Sequence, residues 1–175
     1  MINREDFIQA NMGDLSPKLA DLGTSLEVSI DDVRKLKKAY SDDLEKIQKI
    51  RNIFRAKQKV KDGGKSLFKF NNFKNFYDWY IVQKRFCYYC KTKEQDLEKI
   101  FGNGILSSKR GSRRGQSLEI ERRNAKNNEY SEENCVLACY FCNNHKSDII
   151  SEEDHIYYFS DKIAEYLKNK AAELK

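Results

Sequence analysis

The sequence predicts an α+β fold: a small cysteine-pinned module of two short strands and a helix, with helices before it and a closing helix after it. Three observations predict it. Two Cys-x-x-Cys pairs stand at Cys87-Tyr88-Tyr89-Cys90 and Cys139-Tyr140-Phe141-Cys142. Between them Leu118 and Ile120 alternate with Glu119 and Glu121, the period of a strand, and the apolar run Cys135-Val136-Leu137-Ala138 gives a second. Elsewhere the apolar residues recur at steps of three or four, the period of a helix.

Composition narrows the function. The 175 residues are enough for one domain with a good core, or for a compact module with a helical extension. The net charge is +6, and it is unevenly placed. Residues 63–150 carry 16 Lys and Arg against 10 Asp and Glu, whereas residues 151–175 carry 4 against 6. A basic centre points to a polyanion, the plain alternative being an ordinary solvated surface. No apolar run approaches membrane-spanning length and the first residues lack an apolar signal core, so a cytoplasmic protein without a membrane partner is expected.

In chain order, Phe7, Ile8 and Met12 sit at helical spacing, and Ser16-Pro17 suggests a second helix with proline at its first position. From Ser29 to Lys61 the residues Val33, Leu36, Tyr40, Leu44, Ile47, Ile50 and Phe54 predict a long amphipathic helix, with a break near Ser41-Asp42-Asp43 as the variant. Its stripe suits either packing within the chain or a homodimer interface. Gly63-Gly64 ends it and divides a helical N-terminal region, 1–62, for dimerisation or target recognition, from the module and its closing helix, 63–175. Residues 72–83 predict a helix whose aromatic face packs on the first cysteine pair. A short helix over 91–101 and a glycine-, serine- and arginine-rich loop over 102–115 precede the first strand. The second pair opens a helix carrying Asn143, Asn144, His145 and Lys146, and Ser151-Glu152-Glu153-Asp154 starts the tail helix.

The cysteines carry the strongest chemistry. Two such pairs without a secretory signal fit a tetrahedral thiolate zinc site, with Cys87, Cys90, Cys139 and Cys142 as ligands; redox dithiols or metal-free core cysteines are the alternatives. Cys135 reads as a small buried hydrophobe. Lys109, Arg110, Arg113 and Arg114 in the glycine-rich loop suit phosphate contacts, or simply solvent. Glu119 and Glu121 on one strand face repel unless a cation lies between them, which invites Mg²⁺; otherwise both face water.

Taken together, Cys-x-x-Cys, the Leu118-Glu119-Ile120-Glu121-Arg122 strand, Asn134, the apolar strand and Cys-x-x-Cys-Asn-Asn-x-Lys resemble the HNH, or ββα-metal, endonucleases. The likeness is to the four-cysteine zinc subgroup, phage endonuclease VII-like and bacterial restriction and defence nucleases, and spans Cys87 to Lys146, about a third of the chain. It implies a treble-clef-like module with structural Zn²⁺ and a catalytic Mg²⁺ or Mn²⁺ on Glu121 and Asn143, with Glu119 as a further ligand or base. It also implies that Asn134 holds the loop between the strands, that DNA is the substrate with RNA left open, and that Lys146 joins the loop cations on nucleic acid. Restriction, phage defence or a mobile element is the implied setting. Arg122 stands where the family has its general-base histidine, and arginine stays protonated in proteins. Three outcomes follow: Glu119 replaces the base, ion-activated water suffices while Arg122 stabilises phosphate charge, or the module binds DNA without cutting it. His145 reads as a surface or structural residue rather than the base, and nothing is assigned to His155.

Overall fold

The structure, a computed structural model, describes residues 2–109, 111, 114–124 and 126–173. They form two compact units, Met1–Val82 and Gln83–Lys175.

The first unit begins with α1 (Arg4–Ala10), whose Asn3 side chain accepts from the Asp6 N–H at 2.9 Å. Helix α2 (Leu19–Leu26) starts one residue after its cap, Lys18, so Pro17 lies outside the helix. The long helix expected over 29–61 is two helices, α3 (Ile30–Ala39) and α4 (Ser41–Gln58), separated at Tyr40. The chain turns at Tyr40, which with Leu44 of α4 still packs on the core of Phe7, Leu22 and Val33. Val33 of α3 packs with Phe7 and Leu22, while Ile47, Ile50 and Phe54 are the buried face of α4. Acidic Asp42 and Asp43 then sit in the first turn of α4, where the helix dipole favours them.

Gly63 and Gly64, at φ 54° and 81°, make the two-residue turn of a hairpin between β1 (Lys61–Asp62) and β2 (Lys65–Ser66). Helix α5 (Phe73–Val82) follows. Its aromatic face packs on the rings of this unit: the Phe54 ring lies 5.5 Å from both Phe73 and Phe76, and Phe70 lies 5.2 Å from Trp79. Arg51 is buried, donating to Gly13 O at 3.2 Å and Ser16 Oγ at 3.0 Å while its guanidinium sits 4.6 Å over Phe73. Asp14 Oδ1 accepts from the Phe73 N–H at 2.7 Å and so caps α5 from the same loop.

The second unit contains α6 (Glu94–Gly102), an antiparallel pair of strands β3 (Glu119–Arg122) and β4 (Cys135–Ala138), and α7 (Tyr140–Lys146). Its tail is α8 (Glu152–Asp154), a π-helical turn over His155–Phe159, and α9 (Ser160–Ala172). In the hairpin Glu119 pairs with Ala138, Ile120 with Leu137, Glu121 with Val136 and Arg122 with Cys135. This is a mixed helix and small-sheet unit built on a four-cysteine cluster, as an α+β reading of the sequence requires. Leu97, Ile100, Ile120, Leu137 and Leu167 are buried around it. No described helix is long and apolar enough to cross a membrane.

Candidate metal centre and active site

The first cysteine pair lies on a tight turn. Phe86 bridges Lys93, the Cys87 N–H donates to Thr92 O at 2.9 Å, and Lys91 takes the left-handed conformation, φ 61°, that reverses the chain. The Tyr88 N–H donates to Leu137 O at 2.8 Å, which fixes this turn to β4. The second pair opens α7, where the Cys139 sulfur caps the helix by accepting from the Cys142 N–H at 3.4 Å.

Cys87, Cys90, Cys139 and Cys142 are all buried, and their sulfurs lie within 4.8 Å of one another. Cys90 Sγ and Cys139 Sγ are 3.7 Å apart, close to the roughly 3.8 Å edge of a tetrahedron with Zn–S of about 2.3 Å. Hydrogen bonds from Cys139 and Cys142 hold the Cys90 thiol far below its ordinary range, while Cys139 and the other sulfurs push Cys142 far above it. Four thiols at one buried point therefore ionise together only with a dication among them, and the donor set suits zinc. Cys135 stands apart as a buried strand residue.

Beside the cluster, alternation on β3 puts Glu119 and Glu121 on one face, towards α7. Asn143 Nδ2 donates to Glu119 Oε2, and Arg114 Nε lies 3.5 Å from Glu119 Oε1. Glu121 is buried and ion-paired: Lys146 Nζ reaches its Oε1 at 3.1 Å and donates to Arg122 O at 3.0 Å. Burial pushes the Glu121 carboxyl up from its ordinary value, against the downward pull of Lys146. Lys146, expected among the nucleic-acid contacts, is 0% exposed; i→i+3 and i→i+4 spacing within α7 places it below Cys142 and Asn143, over the hairpin rather than in solvent.

Asn134 organises the loop between the strands. Its Oδ1 accepts from the Asn124 N–H at 2.8 Å, and its Nδ2 donates to Asn124 O at 3.1 Å and Glu129 O at 2.9 Å. Arg122 points away from Glu121, as strand alternation requires. Its guanidinium donates to the Asn128 backbone and side chain and lies 4.8 Å over the Tyr130 ring, holding Asn128 at φ 51°.

The glycine-rich loop reaches β3 through Gly115, buried at φ 94°, where a Cβ would fall 2.4 Å from Phe101 Cζ. Glu94 completes the approach, accepting from the Leu118 N–H at 2.9 Å while paired with Arg85. Lys109 is exposed, and Arg114 is half-buried with its guanidinium 5.0 Å over Tyr140. Arg110 and Arg113 lie outside the described residues.

Two histidines meet behind α7, where the sequence offered no signal. His145 packs its ring 4.4 Å from Phe159, so it faces the tail helix and not the carboxylates. Among the described residues, fully buried His155 has no hydrogen-bond partner on either nitrogen, nor has the Tyr89 hydroxyl; the two rings stack edge-on at 4.9 Å. Burial first, then the charges of His145 and Lys146, pull the imidazole down to about 4. Above pH ~6.5 it is neutral folded and unfolded, and nothing is lost. As pH falls from ~6.5 through about 4, the unfolded chain takes up a proton that the fold refuses, so stability drops across that window. The Tm of wild type is therefore expected to fall faster than that of His155→Leu over this range, measured by thermal melts; parallel curves would refute the account.

No family model matches the chain, and no curated protein matches it. Among solved structures, the chain is similar to PacI. That protein is described as a rare-cutting HNH restriction endonuclease with an extraordinary mechanism of DNA perturbation. The two share 28% identity over 56% of this chain and 62% of that one, with a TM-score of 0.41. This chain thus spans less than two thirds of the structure it matches.

Proposed function

We propose that the chain is a metal-dependent HNH endonuclease that hydrolyses phosphodiester bonds in DNA, with structural Zn²⁺ on the four cysteines and one Mg²⁺ or Mn²⁺ at the active site. One observation carries the reading: Glu119, Glu121 and Asn143 converge on a single face of a strand–strand–helix unit that is anchored on the four-cysteine cluster. Carboxylate and amide oxygens are the hard donors that Mg²⁺ and Mn²⁺ take, and the Asn143 amide can turn its oxygen to the same point. An ion held there would supply polarisation of the scissile phosphate and stabilisation of the leaving oxygen.

The protein's own groups do the rest. Lys146, paired with the buried Glu121 at 3.1 Å, favours its charged form and holds the carboxyl in place. Glu119, half-buried beside Arg114, is the carboxylate placed to accept a proton from the attacking water, since Arg122 cannot. Arg122 acts as a positioning residue: it braces the loop that Asn134 ties down, and so holds the end of β3. Lys109 and Arg114 lie on the approach to the strand, where a phosphate backbone would be gripped. The restriction, defence or mobile-element setting rests on the family likeness alone.

The experiment is plasmid nicking by the zinc-loaded protein with Mg²⁺, Mn²⁺ or neither, wild type against Glu121→Gln. Cleavage that requires the added ion and drops by about a hundredfold or more in the variant is expected. Equal cleavage by both would remove the assignment. A second reading, a zinc-stabilised DNA-binding module without catalysis, is favoured by the ion pair that already satisfies Glu121. It predicts DNA retention that falls with salt and no cleavage in any lane.

A further inference from the structure

The N-terminal unit contains a motif that the active site does not use. Helices α2 and α3 are joined by three residues, Glu27, Val28 and Ser29. Glu27 takes the left-handed conformation at φ 54°, and the Val28 N–H returns to Gly23 O at 3.0 Å, so α2 ends in a tight reversal. Ser29 at once caps α3. The two helices meet at Gly23, which is buried: a Cβ there would stand 3.1 Å from Val28 O and 4.0 Å from Val33 Cγ2. Leu22 and Val33 pack with Phe7 of α1, and Leu26, Val28 and Leu36 complete that core. This small core fixes α3 on α2 through its Val33 and Leu36 side.

The opposite side of α3 is free of the core. Asp31, Arg34, Lys35 and Lys38 are exposed and stand at i, i+3, i+4 and i+7, one stripe along the helix. Ile30, 44% exposed, sits at the head of the helix near that stripe. Arg34 and Lys35 make surface pairs, to Asp31 at 2.6 Å and Asp32 at 3.0 Å, which contribute little and are readily exchanged for phosphates. A three-residue turn between two helices, the second presenting basic side chains outward, is the connection that helix-turn-helix units use to set a helix in the major groove.

We propose that α2 and α3 form a helix-turn-helix that seats the Arg34, Lys35 and Lys38 face of α3 in the major groove of duplex DNA. Ile30 would reach base edges at the head of the helix, where an apolar side chain meets thymine methyl groups, and the three cations would reach guanine edges or phosphates. The proposal stands on the N-terminal unit's own residues and does not rest on the nuclease reading. In either case it gives the chain a second, non-catalytic hold on DNA.

The test is binding of the full-length, zinc-loaded protein to a fluorescein-labelled duplex of mixed sequence, read by anisotropy over a range of salt without added divalent cation. Three proteins are compared: wild type, Arg34→Ala/Lys35→Ala/Lys38→Ala, and the control Lys46→Ala/Lys49→Ala/Lys162→Ala, with circular dichroism as the check on folding. The α3 variant is expected to bind about tenfold or more weakly, with a salt slope shallower by about 2–3, and the control to match wild type. Equal losses in both variants, no loss in the α3 variant, or a changed sedimentation mass with unchanged DNA binding would overturn the proposal. A chain that binds through α3 but never cuts DNA would leave it standing while refuting the nuclease, so the two readings fail separately.

Discussion

Stripping zinc from the protein is expected to unfold the C-terminal unit and leave the N-terminal unit folded. The four cysteines come from two places in the chain, the turn at Cys87 and Cys90 and the head of α7 at Cys139 and Cys142, and a zinc ion among them would tie the two together. Structural zinc contributes about 10–16 kcal/mol in zinc-finger peptides, comparable to or larger than the ~5–15 kcal/mol total stability of an ordinary domain. Without it, four buried thiols must protonate, and the hairpin and α7 lose their anchor. The chain carries its own reporter for the contrast: its single tryptophan, Trp79, is buried among the rings of the N-terminal unit, which contains no cysteine. Chelation should therefore release about one zinc per chain and collapse the dispersed NMR signals of residues 83–173, while tryptophan emission stays unchanged. Cys142→Ser should behave as the chelated protein does. A C-terminal unit that keeps its dispersion after the metal is gone would show that the cysteines are core residues and no more.

Lys146→Met is expected to destabilise the C-terminal unit by about 3–5 kcal/mol, because it leaves Glu121 buried with its charge uncompensated. For a domain of this size that is about 10 °C or more in Tm. Methionine keeps the length of the side chain, so the loss reports the ammonium and not a cavity. The double variant Glu121→Gln/Lys146→Met should recover most of it, the coupling expected of a close buried pair. A divalent cation then separates two accounts of Glu121. If the carboxylate is a ligand, Mn²⁺ should raise the Tm of Lys146→Met more than that of wild type, by taking over the compensating charge. Equal shifts would mean that Glu121 is a structural anion served by Lys146 and that the ion, if any, sits on Glu119 and Asn143.

The elements whose periodicity is local were legible before any coordinates. The alternation of Leu118, Glu119, Ile120 and Glu121 set the strand and its faces, and the Ser151 start set the tail helix, because side-chain direction follows from backbone period alone. The pairing of two distant Cys-x-x-Cys motifs was legible for a different reason: tetrahedral coordination needs four sulfurs, and the chain offers two matched pairs. The break at Tyr40 was only half visible. The apolar stripe runs on through it, with Leu36 of α3 and Leu44 of α4 on one core, so periodicity alone does not show where the chain turns. Of the α2–α3 turn only the far side was visible, the helix start at Ser29; the end of α2 was not, since Glu27 occupies a left-handed position that usually advertises itself with glycine.

By itself the sequence determined the four-cysteine grouping, the two-strand hairpin with both glutamates on one face and the helices around them, since these depend on spacing and side-chain direction. Only the tertiary structure decided what each charged group is for. It turned Lys146 inward to Glu121, drew Arg122 to Asn128 and Tyr130, and left Arg34, Lys35 and Lys38 facing out. The reason is physical: a charged side chain reads the same in any sequence, and whether it is buried against a counter-charge or left in water is fixed by segments far away along the chain.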